Sequence, residues 1–313
     1  MKYLITGCAG FIGANYTKYV LDKHADALVI GVDALTYAAN LSALECLEKN
    51  PRFKFYQGDI CDRLEMREII KRERPDVIVN FAAESHVDRS IDNSAPFVMT
   101  NVVGTGVLLD LALEFSVHRF HQISTDEVYG PSVDGLKFTE DDGLHPSSPY
   151  SASKAAADLL ALSYHRTHGL PVSISRSSNN YGKFQHVEKF IPRVIDFAKR
   201  GEPIPIYGDG TACRDWLHVD DNCVAIDMIV RDASSSNGAI YNLSTGVLTK
   251  NIDLAKIILS SMGRDDSGIF LAPDRKGHDI AYMTDSSRMM RKFGWTPEHK
   301  IHEDIHSIVK LYM

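Results

Sequence analysis

Short apolar runs alternate with longer stretches of amphipathic spacing through the first half of the chain. Residues 3–6, 27–33, 54–58, 77–81, 119–124 and 171–176 read as buried strands. Between them, 12–23, 64–74, 102–116 and 152–168 carry apolar positions at helical spacing. Strands alternating with helices predict βαβ units, and hence a parallel sheet covered on both faces. The rhythm breaks after Tyr181, where Pro192, Pro203 and Pro205 with Gly201, Gly208 and Gly210 punctuate the chain as far as Arg214. A helix over about 219–231, a strand over 240–244 and two more helical patterns after Thr249 follow, and 234–238 reads as a surface turn. No internal repeat or low-complexity tract interrupts this pattern. The expected architecture is α/β, a doubly wound parallel sheet with a smaller, discontinuous C-terminal lobe that binds substrate. The expected division gives 1–182 and 215–246 to the sheet domain and 183–214 and 247–313 to the lobe.

Composition narrows the function classes. The 313 residues are 44% apolar and 24% charged, the averages of a soluble globular protein, and allow one large domain or two smaller ones. With 34 basic against 41 acidic residues, the formal charge of −7 argues against broad binding to nucleic acid or anionic membrane. It leaves room for an anionic small molecule in a locally basic pocket. Five scattered cysteines without a C-x-x-C pair fit reduced thiols in a cytoplasmic protein. The N-terminus runs directly into a strand, with no signal-peptide pattern, and no apolar run approaches a membrane span. His299, His302 and His306 recur at helical spacing without an accompanying metalloprotease-type carboxylate, so they read as a solvated helix face. The same reading covers His118 with His121 and His165 with His168, and no metal is expected.

The candidate chemistry lies at two places. Gly7, Gly10 and Gly13, spaced G-x-x-G-x-x-G, stand between the first strand and first helix. Glycines there permit a tight turn and close approach to a pyrophosphate, which the helix N-terminus attracts. Asp33 closes the second strand 20 residues after Gly13. A carboxylate at that place accepts hydrogen bonds from an adenosine ribose and repels a 2′-phosphate, favouring NAD over NADP. Further on, Tyr150 and Lys154 stand four residues apart at a helix start, so an ammonium can sit beneath a phenol and stabilise its phenolate. Thr125, Asp126 and Glu127 follow a buried strand, and open α/β sheets place ligands at such strand ends. A helix-capping role for Asp126 is the other reading of that position.

With these motifs in hand, the chain resembles the extended short-chain dehydrogenase/reductases, and within them the dTDP-glucose 4,6-dehydratases. The matching blocks include TGCAGFIG (6–13), VDALTYAANL (32–41), STDEVYG (124–130), SPYSASKAAAD (148–158), SNNYG (178–182) and RDWLHVDD (214–221), and the likeness runs from residue 6 to about 279. STDEVYG is the specific block, because related 4-epimerases generally lack the Asp-Glu pair and GDP-mannose dehydratases usually show Ser-Glu. The resemblance implies a Rossmann-type sheet, NAD, a nucleotide-diphosphate sugar as partner, and a homodimer built on helices 102–116 and 152–168.

It also implies roles for particular residues. Tyr150, with its pKa lowered by Lys154, takes the proton of the sugar 4-hydroxyl, and Thr125 hydrogen-bonds that hydroxyl. Glu127 removes the proton on carbon 5, and Asp126 protonates the departing 6-hydroxyl, which predicts a raised pKa for Asp126. Cofactor contacts map to Phe11, Ile12, Asp33, Asp59, Ile60, Ala82, Ala83, Ser85, Thr100, Tyr150, Lys154 and Asn180. Substrate contacts map to His86, Asn179, Glu188, Lys189, Arg193, Ile206, Tyr207, Arg214, Asn251, Arg275, His278 and Tyr282. Arg214 and Arg275 would clamp the diphosphate. Cys8, Lys183, Val187 and Lys276 depart from the family's usual Gly and Pro. A UDP-sugar dehydratase of the same mechanism, a 4-epimerase and a non-catalytic NAD-binding protein are the rival readings. Asp126-Glu127 argues against the epimerase, and the intact Tyr150–Lys154 pair against the last.

Overall fold

The computed structural model describes residues 1–235, 237–274 and 279–313. Strand and helix alternate as β1 (Lys2–Thr6), α1 (Phe11–Lys23), β2 (Leu28–Asp33), α2 (Leu41–Glu48), β3 (Phe53–Gln57), α3 (Arg63–Glu73) and β4 (Val77–Asn80). Next come α4 (Val87–Asp92) and α5 (Ala95–Phe97), which runs through a wide π-helical segment, Val98–Gly104, into α6 (Thr105–Glu114). β5 (Arg119–Thr125), a 3₁₀ turn (Asp126–Tyr129), α7 (Pro149–His168) and β6 (Val172–Ser177) complete the first half. After it come β7 (Asn179–Tyr181), α8 (Phe190–Arg200), β8 (Ile204–Tyr207), β9 (Cys213–His218), α9 (Val219–Arg231) and β10 (Asn237–Leu243). The chain ends with β11 (Leu248–Lys250), α10 (Asn251–Ser261), β12 (Ile269–Ala272), α11 (Ser287–Phe293) and α12 (Ile301–Tyr312).

The main sheet has seven strands in the order β10-β6-β5-β4-β1-β2-β3, and every neighbouring pair is parallel. Alternation of side chains explains the two helical layers. Tyr3, Ile5, Val77 and Val79 point to the face packed by α1 and α9, whereas Leu4, Ile30, Ile78 and Phe120 point to the face packed by α3, α6 and α7. The expected Rossmann-type sheet is what forms. A third apolar core joins α8, α10 and α12 around Tyr181, Ile204 and Trp216. Around it lie a three-stranded sheet, β11-β9-β7, and the parallel pair β12-β8. Residues 213–218 therefore lead into α9 through a separate sheet, and it is β10 that rejoins the main one. Met289 and Trp295 pack into the same core as Tyr3, so α11 and the turn after it lean on the main sheet.

One helix is longer than its sequence pattern predicts. The expected 102–116 segment belongs to a continuous helix, Ala95–Glu114, whose 20 residues meet the length and composition of a membrane span. Its inner face packs on α3 and α7, and Leu108, Leu109 and Leu111 are fully buried in the sheet core.

Candidate active site

The site begins at the glycine turn between β1 and α1. Gly7 has φ of +68°, and a β-carbon there would lie 2.7 Å from the Ala82 amide nitrogen. At Gly13 a β-carbon would come within 2.1 Å of the Gly7 carbonyl oxygen. Only glycine lets the turn, the helix and the Phe81–Ala82 backbone meet this closely. Gly10 caps α1 without a side chain, so the first amides of that helix face the cleft bare of protein oxygen. Asp33 accepts the Ala9 amide at 2.9 Å and the Leu35 amide at 2.8 Å, and burial raises its pKa. The cradle fits a dinucleotide pyrophosphate with its ribose beside Asp33. Cys8 does not disturb it. Its thiol is fully buried in the core under the turn, in the space a β-carbon at Gly31 would need.

Three adjoining clefts take up the expected residues. Asp33, Asp59, Ile60, Ala82, Ala83 and Thr100 line the first with Gly7 and Gly10. Phe11, Ile12, Gly13, Ser85, Asn180 and the five expected catalytic groups Thr125, Asp126, Glu127, Tyr150 and Lys154 line the second. His86, Asn179, Glu188, Lys189, Arg193, Ile206, Tyr207, Arg214 and Asn251 line the third, beside the core that joins α8, α10 and α12. Glu127, Asn179 and Lys189 border both the second and the third. Tyr282 is buried beside this set, with the Arg214 guanidinium 4.7 Å from its ring centre and its hydroxyl donating to Asp279 at 2.7 Å. Arg275, Lys276 and His278 lie outside the described residues. Of the other departures, Lys183 lies over the Phe184 ring and Val187 is half-exposed. Sequence reasoning missed Gln185, Phe190 and Trp216 as lining groups; they carry no motif chemistry and reach the cleft only through the fold.

The catalytic residues converge from two elements. β5 ends at Thr125, whose hydroxyl accepts the Glu127 amide at 3.3 Å and donates to Asp126 at 3.2 Å. This cap holds the 3₁₀ turn, in which Asp126 is buried and Glu127 half-buried. Asp126 is 3% exposed, and burial, then Glu127 and Asp215, push its carboxyl up to about 8. The raised pKa is thus present, with burial as its main cause. Capping is done by Thr125, not Asp126. On α7, Ser148 and Ser151 form a reciprocal capping box and Pro149 opens the first turn, which presents Tyr150 to the cleft.

Lys154 behaves otherwise than expected. Its ammonium donates to the Ile123 carbonyl at 2.5 Å, and burial lowers its pKa to about 8. Burial, Glu127, Asp126 and Asp158 raise the Tyr150 phenol above its ordinary value instead of lowering it. Burial, more than any neighbouring charge, sets that direction.

His302 and His306 lie exposed on α12 as the sequence reading expects, whereas His121 and His299 depart from it. His121 is 1% exposed on β5, hydrogen-bonded to Ser173 and Ser175, and desolvation lowers its pKa to about 3. A strand, not a helix face, carries it. His165 Nδ1 reaches the Leu170 carbonyl at 2.9 Å, and His302 pairs with Thr249 at 3.2 Å. His299 bonds Asp221 at 2.9 Å and stacks on His218 with ring centres 4.1 Å apart. One ring nitrogen of each and an Asp220 carboxylate oxygen lie within 4.8 Å of one another, so these three residues form a group that could hold a metal ion, which the sequence reading did not expect.

A parallel sheet of this order, a glycine turn and a Tyr150–Lys154 pair at its carboxyl edge define a nucleotide-dependent enzyme of the short-chain dehydrogenase/reductase type. The family model described as GDP-mannose 4,6 dehydratase matches residues 4–308, and the chain belongs to that family. Low-salt glycan biosynthesis protein Agl12 of Haloferax volcanii is 47% identical over 313 residues, spanning 100% of this chain and 99% of that one. The dTDP-glucose 4,6-dehydratase of Haemophilus influenzae is 42% identical over 335 residues, spanning 100% and 98%. The solved structure of DesIV, a dTDP-glucose 4,6-dehydratase from Streptomyces venezuelae with NAD and TYD bound, superposes with a TM-score of 0.95 at 42% identity, covering 100% of this chain and 97% of that one. The resemblance carried by the motifs holds at the family level.

Proposed function

We propose that the protein is a hydro-lyase that converts dTDP-glucose to dTDP-4-dehydro-6-deoxyglucose with NAD as an internally recycled cofactor. The observation that carries this is the Thr125-Asp126-Glu127 strand end opposite Tyr150 in one cleft, with Asp126 held protonated near neutral pH. Relatives named dTDP-glucose 4,6-dehydratase support the nucleotide. An Asp-Glu pair also sets the chain apart from the GDP-sugar enzymes that name the family model.

When bound, NAD supplies a hydride acceptor for the oxidation and a hydride donor for the return. The chain's residues move the protons. Tyr150 takes the proton of the 4-hydroxyl, which Thr125 orients. Burial, with Glu127 and Asp158 nearby, raises the phenol beforehand, so it becomes a base only when added positive charge joins Lys154 beside it. Glu127 then abstracts the proton on carbon 5, the un-ionised Asp126 protonates the 6-hydroxyl so that it leaves as water, and carbon 5 is reprotonated as hydride reaches carbon 6. Arg214, with Asn179, Lys189, Arg193 and Asn251, lines the cleft where the nucleotide diphosphate would lie.

Three further readings go with this function. The division into a sheet domain (1–182 and 215–246) and a nucleotide-sugar lobe (183–214 and 247–313) goes with this reading; β7 and β9 pair outside the main sheet, and α11 packs on it. Val98, Met99, Val103 and Leu159, all 42–58% exposed on the α5–α6 helix and α7, support a homodimer formed through these helices. Five free thiols accord with a cytoplasmic setting.

The test offers the purified protein dTDP-glucose, UDP-glucose and UDP-N-acetylglucosamine in parallel. Formation of a 4-keto-6-deoxy product from dTDP-glucose is expected, with deuterium placed on carbon 4 recovered on carbon 6. Label lost to solvent rejects the internal return of hydride, and preference for a UDP sugar rejects the nucleotide.

A further inference from the structure

Beneath Tyr150 and Lys154 lies a charged network that the proton transfers above leave unused. Asp158 follows Lys154 by one turn of α7 and shares its inward face. Its side chain is fully buried, and the Arg176 guanidinium that β6 brings to it is 2% exposed. Arg176 Nε donates to Asp158 Oδ2 at 2.9 Å, and Ser124 Oγ donates to the same oxygen at 3.0 Å. The second oxygen, Oδ1, has no hydrogen-bond partner among the described residues. Arg176 Nη1 also donates to the Tyr129 hydroxyl at 2.8 Å, which donates to Asn242 Oδ1 at 2.8 Å. Ser124, Arg176 and Asn242 stand in register on three adjacent strands, so the sheet itself anchors the carboxylate.

Lys154 is 4% exposed, and one carbonyl cannot replace the water its ammonium has lost. The charge that opposes this loss is Asp158. Asp158 Oδ2 in turn takes two donors, one of them the cationic Arg176. We infer that Asp158, held by Arg176 and Ser124, is a positioning residue that keeps Lys154 protonated for proton transfer at Tyr150. The inference rests on the dehydratase reading insofar as Tyr150 and Lys154 are its working pair. The titratable groups around Asp158 are Lys154 and Tyr150 on α7, Arg176 on β6, and Asp126, Glu127 and Tyr129 on the turn after β5. On the outer helices, α4 carries Asp88, Arg89 and Asp92, and α6 carries Asp110 and Glu114; Arg89 stacks on Tyr37, Asp110 pairs with Arg63 and Glu114 pairs with Arg67.

The test compares the NAD-loaded protein with its Asp158→Asn variant. The first readout is the titration of the Lys154 ammonium by NMR, its signal identified by loss in Lys154→Arg. The expected midpoint falls by about one pH unit or more, the size of a close charge interaction. The second readout is the single-turnover oxidation of dTDP-glucose, which precedes elimination and so does not report Asp126. Its alkaline limb should move down by the same interval while KM stays put. Asp158→Glu, which keeps the charge, should restore both. A folded Asp158→Asn protein whose Lys154 titrates as in the parent overturns the inference. Because that variant strands the buried Arg176, Asp158→Asn/Arg176→Gln removes both charges and is read the same way: a lowered midpoint supports the inference, and an unchanged one overturns it. A parent that binds NAD and shows the shift yet fails to dehydrate any sugar nucleotide rejects the dehydratase reading alone.

Discussion

Asp126 and Glu127 are neighbours in the chain, yet the fold gives them different surroundings, and the proposed acid and base follow from that difference. Replacing Glu127 by Gln removes the base while keeping the shape of the turn. Dehydration should fall at least about 100-fold, with NAD content and substrate binding nearly unchanged by calorimetry; full turnover in this variant would reject Glu127 as the base. Asp126 also leaves a signature in stability. Its folded pKa of about 8 lies above its unfolded value, so between about pH 4 and pH 8 the native state holds a proton that the unfolded chain releases. Stability from this group is therefore lost as pH rises through that window. In Asp126→Asn the urea midpoint should decline less from pH 5 to pH 8 than in the parent, and parallel declines would show that Asp126 is not protonated in the fold. These two residues were legible as a pair in the sequence. The burial that separates their roles was not, because it comes from residues such as Asp215 that are distant in the chain.

Elements were legible where local pattern governs them. The six early strands fall within a residue of their expected ends because each is a short apolar run bounded by turn residues. The helix expected over 102–116 starts at Ala95, since Pro96 opens it and a π-helical segment breaks the usual spacing of apolar positions. Asn101 sits in that segment and ties it to Ser153 of α7 at 2.8 Å and to the Glu84 backbone at 2.9 and 3.0 Å. No periodic pattern announces such a register change. α2 was missed although Asn40 caps it at the Ala43 amide, a signal present in the sequence. The start of α7 depends on its capping box, so Ser148→Ala should cost about 1 kcal/mol in urea unfolding. It should also lower kcat by loosening Tyr150; a variant as stable and as active as the parent would mean the cap is dispensable.

At the scale of the whole molecule, the exposed apolar residues of the α5–α6 helix and α7 are the feature a monomer would least tolerate. If the proposed dimer forms through that face, charging it with Val103→Glu and Leu159→Glu should lower the mass seen by sedimentation velocity from that of two chains to one, and a mass equal to the parent's rejects this interface. The sequence alone determined the alternation that makes a parallel sheet, the glycines that shape its first turn, and the Tyr150–Lys154 and Asp126–Glu127 pairs, because each depends on residues a few positions apart. Only the tertiary structure decided what those groups are chemically. It buried Asp126 until it keeps its proton and held Tyr150 neutral against its lysine. It also set Asp158 and Arg176 under the site and brought His86, Arg193 and Arg214, far apart in the chain, to one cleft. The physical reason is that desolvation and Coulomb interactions depend on distance through space, and the chain's order does not fix that distance.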